Sequence, residues 1–201
     1  TARDAANNTS ADTLTVTYTL SSTGLIAAYS FNENSGTTAG DASGNGNLAN
    51  LFGGTTWVPG HSGSGLNFDG ADDYGTAPTV PYLPNWTVSV WVSSSAAPSG
   101  GSFYSGPIHH DANFQLDWNH TSPSYQGAAG VNVAGTWYPA TFGPLAANTW
   151  YFLAATYDGE TLNAYTNGVL VTSNTAPSGP ASSDPNPLTF GKHAAFNHFF
   201  Q

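Results

Sequence analysis

Apolar and polar residues alternate along several short stretches of this chain, and a period of two predicts β-strands. Residues 13–20 (TLTVTYTL) place Leu14, Val16, Tyr18 and Leu20 on one face and threonines on the other. Further strands are predicted at 25–31, 65–70, 87–93, 114–118, 130–138, 150–158 and 188–192. In the third of these, Val88 and Val90 share one face and Trp91 takes the other.

The clearest local signal is a hairpin at residues 162–173. Asn167-Gly168 separates two alternating runs, and both central positions of a type I′ turn need a positive φ. Pro-rich residues 176–187 read as a loop, and helical periodicity is almost absent. Many short strands with turn signals between them predict an all-β fold, an antiparallel two-sheet sandwich or jelly roll.

The amino-acid composition excludes several classes of binding partner. The 201 residues include only Arg3 and Lys192 as firm cations, and the formal net charge is −10. Nucleic-acid binding needs clustered Lys and Arg, so it is excluded, and an anionic membrane would repel the chain. No apolar run is long enough for a membrane helix, so direct membrane insertion is not expected. With no cysteine, disulfides and thiolate metal sites are excluded.

Five stretches in a fixed order resemble a known family. They are GLIAAYSFNENSGTTAGDASGNGN, GLNFDGADDY, WTVSVWV, WYFLAATYDGETLNAYTNGVLV and PLTFGK, between residues 24 and 192. Together they resemble the LamG-like jelly roll of the concanavalin A-like lectin/glucanase superfamily. The resemblance implies two antiparallel sheets, one of them concave, in a secreted or cell-surface protein. Many such modules bind glycans, and others serve as spacers or adhesion units.

The two ends of the chain depart from that family. Residues 1–22 resemble the end of a bacterial Ig-like domain, which leaves 23–201 as the LamG-like domain. The family's closing strand, of the type G-x-I-D-E-V-R-I-Y, is not found before Gln201, so the opening TARDAANNTS and this ending predict a piece of a longer polypeptide. A domain lacking one strand exposes an apolar edge. Residues 13–20 could fill that slot in a neighbouring copy, as donor strands do.

DASGNGN, residues 41–47, invites comparison with a calcium loop. Asp41, Ser43 and Asn45 fall on the first three ligand positions of an EF-hand, but Phe52 stands where its glutamate should be. Alternating oxygen side chains in a glycine-rich curl can still converge on a hard cation. The family resemblance implies a structural calcium ion there, held by Asp41 with Ser43, Asn45 and Asn47. The alternative is an Asx-type turn, in which Asp41 bonds its own backbone.

The sequence shows only weak matches to the residue spacings that are typical of active sites. Glycosidases of this fold group use carboxylates alternating on one strand, and a retaining pair needs carboxyls about 5 Å apart. Glu33 and Glu160 are the only glutamates, and neither is followed by an acid two or four residues later. His109-His110-Asp111 could bind a transition metal, but no H-x-x-x-H spacing supports that reading. The chain is therefore predicted not to be an enzyme.

Candidate sugar contacts concentrate in the middle of the chain. Sugars are held by aromatic faces that stack on C–H surfaces and by amides and carboxylates that bond hydroxyls. Trp91 and Trp150 are expected in the core. The predicted carbohydrate-binding residues are Gln115, Asp117, Trp118, Asn119, His120, Tyr125, Trp137 and Tyr138.

These observations predict an extracellular or cell-surface, non-catalytic carbohydrate-binding or adhesion module stabilised by calcium. Its expected partners are a glycan or polysaccharide and neighbouring domains or copies of the same chain. The alternative is a structural subunit of a surface filament or repeat array, assembled by strand exchange through the N-terminal strand.

Overall fold

The computed structural model describes residues 2–3, 9–10, 24–98, 105–119, 127–193 and 198–201. Its elements in these ranges are β-strands, joined by turns and irregular segments. They are β1 (Ala2–Arg3), β2 (Thr9–Ser10), β3 (Thr38–Ala39), β4 (Ala49–Phe52), β5 (Thr56–Pro59), β6 (Ser64–Asn67), β7 (Tyr74–Ala77), β8 (Trp86–Val92), β9 (Ile108–His110), β10 (Phe114–Asp117), β11 (Ala128–Val133), β12 (Thr136–Thr141), β13 (Tyr151–Tyr157), β14 (Leu162–Thr166), β15 (Val169–Asn174), β16 (Leu188–Phe190), β17 (Lys192–His193) and β18 (His198–Phe199).

Two large antiparallel sheets dominate the fold. One has eight strands in the order β12-β11-β10-β9-β16-β7-β4-β3, and the other has four in the order β15-β14-β13-β8. The pairs β5-β6, β17-β18 and β1-β2 form small sheets of their own. The predicted all-β antiparallel sandwich is confirmed. In the described ranges, no helix is long and apolar enough to cross a membrane.

The core lies between the inner faces of the two large sheets. Phe114, Leu116 and Val131 project from the eight-stranded sheet, and Leu153 and Ala155 project from the four-stranded sheet. This follows from alternation, because every second side chain of a strand points to the same face. The predicted alternation in β8 is confirmed, since Val88 and Val90 pack against the core while Trp91 is exposed.

The predicted hairpin is also confirmed. β14 pairs antiparallel with β15, and Asn167 and Gly168 adopt φ values of 52° and 80°. The amide oxygen of Asn167 accepts a hydrogen bond of 2.9 Å from the Phe152 N–H and so ties the turn to β13.

Two predicted strands at the beginning of the chain have different outcomes. Residues 13–20 lie outside the described residues, so that strand and the domain division at residue 22 stay predictions. Residues 25–31 were expected to form a strand, and this is wrong: within the described ranges they form one isolated bridge, Tyr29–Asp41. A groove of about 1490 Å³ lies between this segment and β8. No described strand pairs with segment 25–31, so it joins no ladder in this part of the chain.

Candidate functional site

A continuous row of residues crosses the outer face of the eight-stranded sheet. Directly paired residues of antiparallel strands point to the same side, so the strand register defines this row. The residues of this row are mainly polar, and their side chains point away from the core between the two sheets. From β3 to β12 its members are Thr38, Asn50, Thr76, Thr189, His109, Gln115, Gly130 and Pro139. We call this set the outer row.

The β3–β4 end of the outer row is open to solvent and carries an aromatic pair. Phe52 is 42% exposed, and its ring stacks on Tyr74 with centroids 4.9 Å apart and planes 19° apart. Phe52 and Tyr74 are paired across β4 and β7, beside Asn50 and Thr76 of the row. Lys192 holds its ammonium 4.5 Å from the Tyr74 ring. We call Asn50, Phe52, Tyr74 and Thr76 the aromatic shelf.

Sequence reasoning missed the aromatic shelf. The signal was present, because ANLF and YGTA alternate between core and solvent positions. Each stretch has only four residues, and glycines lie in or beside both, so the neighbouring sequence does not show that the two stretches pair. Only the register between β4 and β7, which are distant in sequence, places Phe52 against Tyr74.

The centre of the outer row is buried. His109 Nε2 lies 2.9 Å from Asp117 Oδ1, and both side chains are fully excluded from solvent. Gln115 lies over Gly130, where an added Cβ would come within 2.9 Å of Gln115 Cγ. The glycine therefore makes room for the amide. In this arrangement the central residues form an internal polar layer, while the shelf remains accessible.

The predicted carbohydrate-binding residues are dispersed. Gln115 and Asp117 belong to the buried centre, and Asn119 anchors a loop through a 3.0 Å bond from its amide to Ser105 Oγ. Trp118 is 1% exposed, packs in the core and donates its Nε1–H to the Ala96 carbonyl. His120 and Tyr125 lie outside the described residues.

The remaining two predicted contacts lie on β12, at the opposite end of the sheet. Trp137 is paired with Asn132, which puts it on the outer face, and it is 37% exposed. Tyr138 points to the other side and packs against the core. Trp137 is therefore the accessible member of the predicted set. As sugar contacts, all eight residues stay predictions.

Two tryptophans expected in the core lie at the surface, so that expectation was wrong. Trp91 is 45% exposed and Trp150 is 39% exposed. The ring of His61 stacks on Trp91 with centroids 3.6 Å apart, and it meets Trp150 at 6.0 Å. Trp91 alternates with the inward-facing valines of β8, so it lies on the outer face, and its apolar neighbours in the sequence led to the wrong prediction. The rings form a small external cluster on the four-stranded sheet.

The DASGNGN loop is closed by hydrogen bonds to the carboxylate of Asp41. Oδ1 accepts the N–H groups of Ala28 and Ser43, each at 2.9 Å. Oδ2 accepts the Ser43 hydroxyl at 2.8 Å, the Asn47 N–H at 3.0 Å and the Asn47 side-chain amide at 3.1 Å. This is the pattern of the Asx-type alternative, extended to clamp residues 25–29 onto the loop.

Side-chain amides fill the rest of the loop. Asn45 and Asn47 both donate to the Ile26 carbonyl, at 2.9 Å and 2.8 Å, and Asn45 also donates to Leu25. Desolvation acts to raise the pKa of Asp41, but the hydrogen bonds from Ala28, Ser43 and Asn47 outweigh it and lower that pKa well below its usual range. The carboxylate is therefore ionised at neutral pH.

The donor set of this loop fits calcium in chemical type. Calcium takes carboxylate, amide and backbone carbonyl oxygens, and these are the groups that converge here. Asp41, Asn45 and Asn47 with the carbonyls of Leu25 and Ile26 would hold the ion, which would replace the internal hydrogen bonds.

Buried histidines lie beside the centre of the outer row. His110 Nε2 is 3.8 Å from Asp184 Oδ2, and desolvation by burial lowers the pKa of His110 despite the opposing charge of Asp184. Burial, together with the neighbouring His109 and His198, lowers the pKa of His193 to about 3. Both imidazoles are therefore neutral at physiological pH.

The glutamates do not assemble a hydrolytic pair. Glu33 Oε1 accepts the Gly40 N–H at 2.8 Å, and Glu160 is exposed in the turn between β13 and β14. Asp69, Asp72 and Asp73 cluster in the loop before β7, where the Asp69 carboxylate caps the N–H groups of Ala71 and Asp72. In the described residues, these acids have the geometry of turns.

Comparison with solved structures supports the fold. Domain 4 of AbnA, an extracellular arabinanase of family GH43 from Geobacillus stearothermophilus, solved in complex with arabinotriose, is similar with a TM-score of 0.68 and 18% identity over 87% of this chain and 86% of that one. The binding domain of Paraclostridial Mosquitocidal Protein 1 is similar with a TM-score of 0.59 and 13% identity, over 87% of this chain and 45% of that one. At these identities the likeness shows the fold alone.

A family comparison gives the assignment. No curated protein matches the chain. A family described as the Concanavalin A-like lectin/glucanases superfamily matches residues 69–201. That range is about two thirds of the chain, and it contains β7 to β18 and so both large sheets apart from β3 and β4. The chain therefore belongs to the concanavalin A-like lectin/glucanases superfamily.

Proposed function

We propose that this chain is an extracellular, non-catalytic carbohydrate-binding module whose glycan contacts the aromatic shelf. The observation that carries the proposal is the stack of exposed Phe52 on half-buried Tyr74, beside Asn50 and Thr76. An aromatic platform packs on the C–H face of a sugar, and adjacent amide and hydroxyl groups bond its hydroxyls. The similar arabinanase domain in complex with arabinotriose supports the class of ligand.

Charge favours a neutral glycan. The chain carries a formal net charge of −10, so acidic polysaccharides are repelled at long range. Lys192 is at the shelf, but its ammonium is already over the Tyr74 ring. A neutral polysaccharide can pack on the exposed ring of Phe52 without displacing that ammonium. The turn geometry of Glu33 and Glu160 supports binding without hydrolysis.

Trp137 provides a second contact region. Five strand intervals separate β12 from β7, and at about 4.8 Å each they span about 24 Å. The buried centre of the outer row lies between the two regions. A long polysaccharide could contact both ends, whereas a short oligosaccharide binds the shelf alone.

Affinity electrophoresis in gels containing neutral polysaccharides tests this proposal. The native chain should be retarded by at least one of them. Tyr74→Ala should abolish most of the retardation, and Trp137→Ala should weaken binding to polymer more than to oligosaccharide. Trp91→Ala, which removes an exposed ring from the four-stranded sheet, is the matched control. Equal retardation of Tyr74→Ala and the native chain would contradict the placement of the site.

Calcium belongs to this proposal as a structural ion at the DASGNGN loop. It would join the loop, which connects β3 to β4, to segment 25–29, and glycan binding would depend on it through the stability of this connection. The Ile26 carbonyl oxygen, which accepts the side-chain amides of Asn45 and Asn47, and the Asp41 carboxylate beside it support this assignment. Melting curves with calcium and with EDTA test it, as developed below.

A second candidate function is a filament subunit assembled by strand exchange. The observation that favours it is the groove of about 1490 Å³ between segment 24–32 and β8. Within the described ranges, β8 is an edge strand of its sheet, and Ile26, Phe31, Val88 and Val90 line the groove. Such an edge with unpaired backbone groups can accept an added strand.

The occupant of this groove would be residues 13–20 of a second copy. An extended stretch of eight residues spans about 26 Å, close to the roughly 23 Å of the seven residues of β8. Electron microscopy and size-exclusion chromatography should show polymers of the native chain and only monomers after deletion of residues 1–22. Polymers that survive the deletion, or a native chain that is monomeric at all concentrations, would refute strand exchange.

A further inference from the structure

A cluster of His109, Asp111 and His193 lies beside the buried centre of the outer row. Each residue offers one ligand atom, and these atoms all lie within 4.8 Å of one another. His193 Nδ1 is 3.6 Å from Asp111 Oδ1, and the His109 and His193 rings meet edge to face with centroids 4.7 Å apart. We call these three residues the histidine cluster.

Asp117 lies against one side of the His109 ring. Asp117 Oδ1 is 2.9 Å from His109 Nε2, but neither oxygen of Asp117 and neither ring nitrogen of His109 has an aligned hydrogen-bond partner among the described residues, and all four atoms are buried. In a neutral imidazole one of the two nitrogens carries a lone pair, so His109 can offer a ligand atom to a metal ion. A carboxylate behind a histidine is also the arrangement that orients histidine ligands of metal ions.

The chemical types of the three side chains in the histidine cluster indicate which metal ion the cluster would bind. Two imidazoles and one carboxylate suit a borderline divalent metal such as zinc, whereas calcium and magnesium prefer oxygen alone. In tetrahedral zinc sites, ligand atoms at about 2.0–2.1 Å from the metal lie about 3.3 Å from one another. The 3.6 Å separation of His193 and Asp111 is close to that value, and small side-chain rotations bring in His109.

We propose that His109, Asp111 and His193 bind a divalent transition metal ion, with zinc as the expected ion, and that Asp117 positions His109. The ion would tie β9 of the large sheet to β17. His198 is paired directly with His193 across β17 and β18, so it lies next to the fourth coordination position. The sequence indicated His109 and Asp111 as possible metal ligands, but it did not indicate His193, which is distant from them along the chain.

This site is independent of the proposed glycan function. It involves the buried centre of the outer row, and its test uses metal binding alone. The alternative is a purely structural role, in which His109 and Asp117 pair inside the protein and the neighbouring groups pack without an ion. That alternative predicts no specific binding of zinc.

The experiment is isothermal titration of the EDTA-treated, dialysed chain with zinc chloride. The expected result is one saturable equivalent, together with a rise in melting temperature. His193→Gln and Asp111→Asn should each weaken binding at least about tenfold, and Asp117→Asn about 10- to 100-fold, as for other residues that orient ligands. His61→Gln is the matched control, because it removes an exposed imidazole elsewhere and should leave binding unchanged.

Cobalt provides a second readout that needs no variant. Cobalt(II) bound by nitrogen and oxygen ligands in the native chain should give visible absorption bands that zinc then abolishes, while calcium should leave them intact. His193→Gln retains the His109–Asp117 pair, so circular dichroism can check its fold independently. The proposal is overturned by the absence of saturable zinc binding, or by equal affinity in the native chain, His193→Gln and Asp111→Asn.

Discussion

Replacement of Asp41 by alanine should destabilise the domain strongly, because one carboxylate closes the whole DASGNGN loop. Its two oxygens accept five hydrogen bonds, from Ala28, Ser43 and Asn47. Alanine removes all five acceptor interactions at once. The loop and segment 25–29 then lose the contact that joins them.

The magnitude follows from the partial burial of these bonds. A hydrogen bond to a charged group contributes about 1.5–3 kcal/mol when buried. The bonds are only partly buried, so water replaces most of the lost acceptor, and the equivalent of about two unreplaced bonds gives about 3–6 kcal/mol. At about 2–4 °C per kcal/mol for a domain of this size, the melting temperature should fall by roughly 6–24 °C.

The assay is urea and thermal unfolding, monitored by circular dichroism at neutral pH. Glu160→Ala is the control, because it removes an exposed carboxylate in a turn. Surface substitutions of that kind usually change stability by about 0.5 kcal/mol or less. If Asp41→Ala unfolds like Glu160→Ala, the hydrogen-bond account of the loop is wrong.

Two further experiments compare the native chain with Asp41→Ala. The Asp41 pKa is held below its unfolded value of about 3.9, so its stabilisation is full above that pH and is lost as the pH falls below about 4. Acidification should therefore destabilise the native chain more than Asp41→Ala. EDTA should lower the melting temperature of the native chain and leave that of Asp41→Ala unchanged. Equal native melts with calcium and EDTA would refute the calcium proposal and leave the hydrogen-bond account standing.

Four other substitutions test the fold and the faces of the two large sheets. Gly168→Ala should cost about 1 kcal/mol in a urea titration, because φ is 80° there, and no loss would contradict the type I′ turn. Leu153→Ala should lower the free energy of unfolding by about 2–5 kcal/mol, because Leu153 is fully buried. Trp91→Ala should lower it by less than about 1 kcal/mol, because Trp91 is exposed. The reverse order would contradict the assigned faces of the four-stranded sheet. Gly130→Ala should displace Gln115, since the new Cβ would lie 2.9 Å from its Cγ, and an unchanged amide signal of Gln115 in NMR spectra would argue against that contact.

The sequence was most informative where one stretch contained the whole signal. Alternation in β8 and the Asn167-Gly168 turn are properties of a few consecutive residues, and both predictions are confirmed. Segment 25–31 is similarly apolar, but no described strand pairs with it, so its backbone joins no ladder in the described part of the chain. Alternation reports which side chains share a face, and it cannot report whether a partner strand is present.

The candidate sites depend on contacts between distant residues. Phe52 and Tyr74 lie on different strands, and His193 reaches His109 from β17. Aromatic density directed attention to Trp118, which is buried, and away from the shelf, where the density is lower. Exposure of an aromatic ring is set by sheet register and by the packing of the opposite layer, and neither can be read from composition.

The most direct test of the central claim is a glycan-array screen with the native chain and Tyr74→Ala, run once with calcium and once with EDTA at a temperature where both are folded. The account predicts that the native chain binds a defined neutral glycan in both conditions and that Tyr74→Ala loses most of that signal. Absence of binding by the native chain, or undiminished binding by Tyr74→Ala, would contradict a carbohydrate-binding role for the aromatic shelf.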